Sequence, residues 1–516
     1  MTVEISPLNV KCNLACGYCY QHSLRSAQTS SGDYDMAVIQ ATLEKAGEPF
    51  VIFGGEPLLL DKHALQELFR FGLEQFEHTT IQTNGTLIDD EHLRMFKQYN
   101  VRVGVSIDGP GALNDARWAG NLERTHEMTA KTERAIERLV EQGISTGLIV
   151  TLNRKNAAPD RLPALCDWIA GLAHKGIRRV RLHILETDNE HIRRTFGLSH
   201  EENLQAILRL RELEAELGRK FFDMFDDMQR MLRGQDHKSS CVWRACDVFD
   251  TVAVQNVNPL GLLTNCGRTT QDGADFLKAE RHGYARYIAL YHTPREHGGC
   301  QDCRFFLACK GYCPSTAMDN DWRNRTEYCA LLLELYERIE AEMVQAGETP
   351  LSHHPDREKI EQRLLAAWAQ GHNPTIARLD KAPPDSVAPV RAGRTGWNGS
   401  AFAFSRFAWA GAEARRVWKP LIFGIGQAWH VMELASVREG LRACALLTPP
   451  AWEMPQLEKR ARKYGLDFTI LSNPTFPWPG DRPASNAEFV VLGSPAAIAQ
   501  FHTAWDEAEH DEKPGF

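Results

Sequence analysis

Six short β-branched runs alternate with five longer segments of helical period over the first 185 residues, and no other feature constrains the fold as strongly. The spacing predicts strands at 3–9, 50–53, 79–83, 101–107, 146–151 and 179–185, with helices at 36–45, 60–75, 89–98, 123–142 and 162–173. Strands separated by helices pair in parallel through right-handed crossovers, so the helices must cover the sheet and curl it. The expected fold class is α/β, an open, partial (β/α)6 TIM-like barrel. Active sites on such sheets gather at the C-terminal strand ends. Both unusual loops, 11–20 and 54–59, follow directly on a strand.

A chain of 516 residues has length for about three domains. After the barrel, 1–197, comes a charged helical bridge, 198–240, with apolar residues at 3- and 4-residue spacing. A cysteine-rich module spans 241–345 and closes on a helix at 330–345. Residues 346–400 read as a linker, because 352–398 hold a His-His-Pro, a Pro-Pro and several glycines. The remainder, 401–516, reads as a small α/β accessory domain of unassigned chemistry that holds six of the twelve tryptophans. The balance of 59 Lys+Arg against 67 Asp+Glu has no basic stripe, which excludes nucleic acid or an anionic membrane as the main partner. No apolar run reaches the roughly 18 residues of a membrane span, and the N-terminus lacks a secretory pattern. A cytoplasmic location is expected.

The cysteines carry the chemistry. Cys12, Cys16 and Cys19 form a CxxxCxxC loop after the first strand, and eight of the thirteen cysteines lie between Cys241 and Cys329. In a reducing compartment such clusters hold metal more readily than disulfides. Three thiolates can cap one face of an iron–sulfur cube and leave its fourth iron open; a zinc knuckle would need a fourth ligand nearby, and none is close in sequence. The eight downstream thiols divide into two four-ligand centres, either two structural zincs or two further clusters. Cys166 and Cys444 stand alone in apolar runs and read as packing. Gly424–Gly426 reads as a turn and His353–His354 as solvated linker.

The loop Cys12-Asn-Leu-Ala-Cys16-Gly-Tyr18-Cys19 resembles the CxxxCxYC signature of the radical S-adenosylmethionine (SAM) superfamily. The resemblance implies a [4Fe–4S] cluster whose open iron chelates SAM, reductive cleavage of SAM to methionine and a 5′-deoxyadenosyl radical, and Tyr18 near the adenine. Gly54-Gly55-Glu56-Pro57, at the end of the second strand, is similar to the family's GGEP motif, which binds the SAM amino group. By the same likeness Thr83 and Asn84 end the third strand at the site, and Ser106 with Asp108 ends the fourth, Ser106 facing the SAM carboxylate. Asp115 and Arg117 resemble a further family pattern, and Arg124 is expected to reach the carboxylate. Asn153 and Leu185 would neighbour ribose and adenine.

From Cys246 onward the cysteines, with their CxxCxxxxxCxxxC core, resemble the SPASM extension of these enzymes. The likeness implies interleaved ligation: Cys241, Cys246, Cys266 and Cys313 on one auxiliary cluster, Cys300, Cys303, Cys309 and Cys329 on the other. Three [4Fe–4S] clusters, about twelve irons, would follow.

That resemblance points to an oxidoreductase that oxidatively crosslinks a ribosomally made precursor peptide through a thioether or carbon–carbon bond. Flavodoxin or ferredoxin would supply the electron. A chain starting at the first barrel strand is expected to have no N-terminal recognition domain, so the leader would fall to residues 401–516 or to a separate peptide-recognition protein. The alternative is an anaerobic sulfatase maturase that forms formylglycine. Such enzymes carry an acidic base after the cysteine equivalent to Cys266, where this chain has Gly267 and Arg268; Asp247 and Asp250 are weak substitutes. A non-catalytic iron–sulfur carrier or redox sensor is the reading from another class.

Overall fold

A computed structural model describes residues 2–21, 34–187, 189–246, 254–268, 284–320, 324–369 and 371–380, together with the backbone of five strands between 414 and 493. The alternation folds as expected. In chain order the first elements are β1 (Thr2–Ile5), α1 (Met36–Ala46), β2 (Phe50–Ile52), α2 (Lys62–Phe76), β3 (Thr79–Thr83) and α3 (Asp90–Gln98). They continue with β4 (Val101–Ser106), α4 (Leu122–Glu141), β5 (Thr146–Leu152), α5 (Leu162–Lys175) and β6 (Val180–Ile184). Asp35, Asp61, Asp89 and Asn121 each cap a helix by accepting a backbone N–H in its first turn, which explains why the starts were readable.

All six strands are parallel and lie in the order β6-β5-β4-β3-β2-β1. Residues on alternate strand positions, such as Ile81, Val103 and Val105, are buried under the helices at 0–2% exposure. The other face lines the lumen, and there Glu4, Gln82, Ser106 and His183 are only half-buried. Polar residues at every second place of otherwise apolar strands thus mark the lumen side.

Beyond β6 comes a short α6 (Glu190–Phe196), and the expected helical bridge after it breaks into α7 (His200–Glu216) and α8 (Asp223–Leu232). The break inserts Phe221 and Phe222, each 1% exposed, and the Phe221 carbonyl accepts the Val180 N–H at 2.9 Å. Burying two phenylalanines at the sheet edge outweighs continuing the helix.

The cysteine-rich module does not stand apart from the barrel. Its strand β7 (Val254–Val257) pairs in parallel with β1, and β8 (Leu263–Thr264) pairs antiparallel with β7, so one eight-stranded sheet runs through both. These strands are too short and polar to read from sequence. Helices α9 (Ala285–His292), α10 (Phe306–Cys309) and α11 (Cys329–Gln345) complete the module.

Part of the expected linker is a correction. Residues 357–380 form α12 (Arg357–Ala369) and α13 (Ile376–Asp380). Ile360, Leu364 and Leu365 are buried, and Trp368, 1% exposed, stacks on Tyr284 with ring centroids 6.2 Å apart while its Nε1 donates to Asn373. Apolar residues at helical spacing decided this stretch, where its prolines and histidines had suggested an open chain. Trp368→Ala is expected to cost about 3–5 kcal/mol in a denaturant titration, the usual range for emptying such a site; a change under about 1 kcal/mol would return the segment to linker status.

Farther on, β9 (Ala414–Trp418), β10 (Val431–Ser436), β11 (Leu441–Leu447), β12 (Asp467–Asn473) and β13 (Ala487–Gly493) make an antiparallel sheet in the order β12-β13-β11-β10-β9. Cys444 lies in β11. Gly424, Gly426 and the expected helical runs lie outside the described residues. Among the described residues no helix is long and apolar enough to cross a membrane.

Candidate metal and cofactor site

The cysteine loop leaves β1 and is pinned from two sides. The Gly55 N–H donates to the Asn9 carbonyl at 2.9 Å and the Glu56 N–H to the Lys11 carbonyl at 2.8 Å, which fastens the GGEP turn to the residues just before Cys12. A Cβ on Gly55 would lie 2.1 Å from the Lys11 oxygen, and one on Gly54, at φ 126°, 2.5 Å from the Asn9 oxygen. The two glycines therefore serve an approach of backbone to backbone within the chain. On the other side the Ala15 and Gly17 N–H groups donate to the Trp118 and Ala116 carbonyls, each at 2.7 Å.

Glu56 departs from its expected role. It is fully buried, and Pro57 opens a short 3-10 turn behind it. Its Oε1 accepts from the Leu58 N–H at 3.0 Å and the Thr83 hydroxyl at 2.7 Å, while Oε2 accepts from the Asn84 N–H at 2.8 Å. Burial pushes the carboxyl up from the usual range and these three donors pull it back. The carboxylate ties β2 to β3; it does not lie open to a ligand ammonium. Asn84 in turn donates to Asn13 at 2.8 Å with its Nδ2 4.0 Å from Cys12 Sγ, and the Leu14 N–H lies 3.5 Å from the same sulfur. N–H groups aimed at a thiolate are the kind of contact that tunes an iron–sulfur centre.

Asp108 is the hub of the opposite wall. Fully buried, it receives the Tyr18 hydroxyl on Oδ2, and on Oδ1 both Arg117 Nη2 at 2.9 Å and the Thr151 N–H at 3.0 Å. The Arg117 guanidinium lies 5.9 Å from the Tyr18 ring centroid, and its Nε is buried without a hydrogen-bond partner. An unused buried donor beside the cysteine loop suits an anionic ligand group. Arg124, expected at this place, is exposed at the start of α4 and engages the cap only through its backbone; Asp115 pairs with His126. Ser106 accepts from Gln82 at 2.8 Å, which leaves its own proton to donate into the lumen. Asn153 is buried, and its amide is consumed by Thr151 and Lys155. Leu185 is buried and offers its carbonyl to the Tyr328 hydroxyl.

The thiols assemble in groups. Burial pushes Cys16 up to about 12, with Cys19 and Cys12 as charged neighbours that raise it further and Arg117 opposing them. Cys241 is pushed up to about 12 by burial and then by Cys313, and Cys266 is raised by burial, Glu4, Cys241 and Cys313. Cys300 is raised by burial and then by Cys303 and Cys329, and Cys309 by burial, Cys300, Cys329 and Cys303. By these mutual electrostatic influences Cys241, Cys266 and Cys313 go together, and Cys300, Cys303, Cys309 and Cys329 go together. Cys246 follows Cys241 closely, with Tyr287 donating to its carbonyl at 2.6 Å. None of the described cysteines is in a disulfide. Among the described residues no three His, Cys, Asp or Glu side chains converge tightly enough for a single metal ion. A cubane spreads its cysteines over separate corners, and the grouped thiols fit that requirement. Cys166 is 3% exposed inside α5, as packing requires.

Sequence reasoning passed over the lumen between the loop and Cys266. Arg268 forms an ion pair with Glu186, approaches His183 Nδ1 at 3.4 Å and lies 5.6 Å from the Tyr20 ring centroid. Burial and the Arg268, Arg181 and Arg117 charges hold His183 well below its usual range, hence neutral. A guanidinium only donates, so His183 Nδ1 accepts and its other nitrogen carries the proton. The alternation of β6 was the available signal. Asp247 and Asp250 lie outside the described residues.

Comparison with known proteins agrees with this geometry. Residues 6–162 match the family model described as the Radical SAM superfamily, and this segment is a radical SAM domain. The chain is 28% identical over 289 residues to Fe-coproporphyrin III synthase of Methanosarcina barkeri, covering 51% of this chain and 65% of that protein. It is 29% identical over 211 residues to a serine-type anaerobic sulfatase-maturating enzyme of Klebsiella aerogenes, covering 38% and 50%. The chain thus spans between half and two thirds of these relatives' own length. Among solved structures, native anSMEcpe with bound AdoMet superposes with a TM-score of 0.54 at 19% identity, covering 67% of this chain and 98% of that one, which establishes the shared fold.

Proposed function

We propose that this chain is a radical SAM enzyme of the SPASM type that oxidatively modifies a peptide or protein. The observation that carries the reading is the convergence of Cys12, Cys16 and Cys19 with the GGEP turn and the Asp108–Arg117 wall at the C-terminal ends of β1, β2 and β4. With a [4Fe–4S] cluster and SAM bound there, reductive cleavage would yield methionine and a 5′-deoxyadenosyl radical that removes hydrogen from an unactivated C–H bond. The protein's part is to bind and to exclude water. Arg117 Nε and the Ser106 hydroxyl would hold the SAM carboxylate, backbone carbonyls of the GGEP turn would receive its ammonium, and the lumen would orient the target hydrogen. The two downstream thiol sets suit auxiliary clusters able to accept the substrate electron, which favours a net oxidation.

Two outcomes of that oxidation have comparable support. Likeness to the SPASM branch favours a crosslink in a ribosomally made peptide, with an external flavodoxin or ferredoxin as donor. The sulfatase-maturating relatives favour formylglycine formation, although Gly267 and Arg268 stand where the acidic base is expected. Anaerobically reconstituted protein, reduced with dithionite in the presence of SAM, should release 5′-deoxyadenosine; none, with or without peptide, would overturn the enzyme reading. A serine- or cysteine-containing sulfatase peptide then separates the two. An aldehyde captured by a hydrazide selects maturation, and its absence beside a crosslinked product from a genomically adjacent peptide selects the first.

A further inference from the structure

Phe196, the last residue of α6, packs on the cysteine loop. A Cβ placed on Gly17 would lie 2.5 Å from Phe196 Cζ and 2.7 Å from Cε2, so a side chain at residue 17 would have to displace that ring. The same ring meets Tyr18 edge to face, with centroids 6.3 Å apart and planes at 81°. Tyr18 is thereby held at its hydroxyl by Asp108 and at its ring by Phe196.

The segment that delivers Phe196 is itself tied down. Its carbonyl accepts the Arg154 N–H at 2.8 Å, and the Arg154 guanidinium bonds the Gly197 carbonyl and Glu202. Arg193, one turn earlier, pairs with Glu327 at 3.1 Å and donates to the Thr187 carbonyl at 2.9 Å. Glu327 lies two residues before Cys329, beside Tyr328, whose hydroxyl bonds the Leu185 carbonyl. Helix α6 therefore straps the end of β5 and the start of α11 to the loop bearing Cys16 and Cys19.

We propose that Phe196 is a positioning residue for the SAM site: seated on Gly17 and against Tyr18, it fixes the cysteine loop alongside that loop's backbone hydrogen bonds to the Ala116 and Trp118 carbonyls. The inference rests on the reading of that loop as the SAM-binding cluster site. It treats Gly17 and Phe196 as a matched pair, in which the glycine exists to admit the ring. An edge-on aromatic contact is a modest interaction, so its loss should loosen the loop without dismantling the barrel.

The test uses the full chain, anaerobically reconstituted, with iron content and the electron paramagnetic resonance spectrum of the reduced protein recorded as SAM is titrated. Phe196→Ala is expected to retain its iron while the SAM concentration needed for the half-maximal spectral change rises about 10-fold, equivalent to about 1.4 kcal/mol. Gly17→Ala, with the ring still present, should be impaired more severely, and the double variant Gly17→Ala/Phe196→Ala should recover towards Phe196→Ala alone, because the new methyl then has space. That recovery is a response a general loss of folding cannot produce. Unchanged SAM titration in Phe196→Ala, or Gly17→Ala no better without the ring than with it, would overturn the proposal. A wild-type spectrum indifferent to SAM would instead remove the cluster reading beneath it.

Discussion

Replacing Cys12, Cys16 and Cys19 together by alanine is expected to lower the iron content of reconstituted protein from about twelve to about eight per chain and to abolish any SAM-induced spectral change. The thiols that raise Cys16 are Cys19 and Cys12, and neither is among those that raise Cys241, Cys266, Cys300 or Cys309. Losing these three should leave the other sets able to load. Burial holds Cys16 and Cys241 at about 12 before metal binds, so each ligation must displace a proton. Alanine removes that ionisation along with the ligand. Iron analysis and electron paramagnetic resonance on the triple variant check both halves. A variant that kept the SAM response would place the cofactor elsewhere; wild type with only about four irons would refute the auxiliary sets.

Asp108→Ala is expected to cost about 3–5 kcal/mol of folding stability, the magnitude seen when one partner of a buried ion pair is deleted. Arg117 is only 9% exposed and Asp108 fully buried, so the remaining guanidinium cannot recover its lost partner from water. The Tyr18 hydroxyl and the Thr151 N–H lose their acceptor at the same time. Contacts of the Asp108 backbone with Asn114 and Asn156, at 2.8 Å each, survive the substitution. Asp108→Asn keeps an acceptor for Thr151 but forfeits the charge, and should fall between alanine and wild type. Urea titrations of the three proteins decide the matter: a loss below about 1 kcal/mol for alanine would mean that Arg117 is solvated or paired otherwise.

Much of the barrel was legible because its signals are local. The pattern of 79–83 is a complete β3, and Asp35, Asp61, Asp89 and Asn121 announce helices that begin where their caps lie. Signals that depend on averaging over composition failed. Prolines and histidines near 352–398 obscured Ile360, Leu364 and Trp368, whose helical spacing buries them, and the 198–233 stretch concealed the Phe221–Phe222 break. Around the motif residues, several contacts were not legible. The GGEP turn was read as binding an ammonium, and its Glu56 carboxylate is an internal anchor; Arg124 was expected to reach the carboxylate and lies exposed, while Arg117 holds the buried position.

The amino-acid sequence determined by itself the parallel barrel, the three-cysteine loop at a strand end and the grouping of the other thiols in one later module, because periodicity and spacing are properties of neighbouring residues. Only the tertiary structure decided that Asp108 secures Tyr18 and Arg117, that Glu56 joins β2 to β3, that β7 extends the barrel sheet, and that Phe196 reaches back to Gly17 across most of the barrel sequence. Such contacts are chosen when the helices and strands pack. Their energy depends on which distant side chains then share a buried space, and no local pattern encodes that.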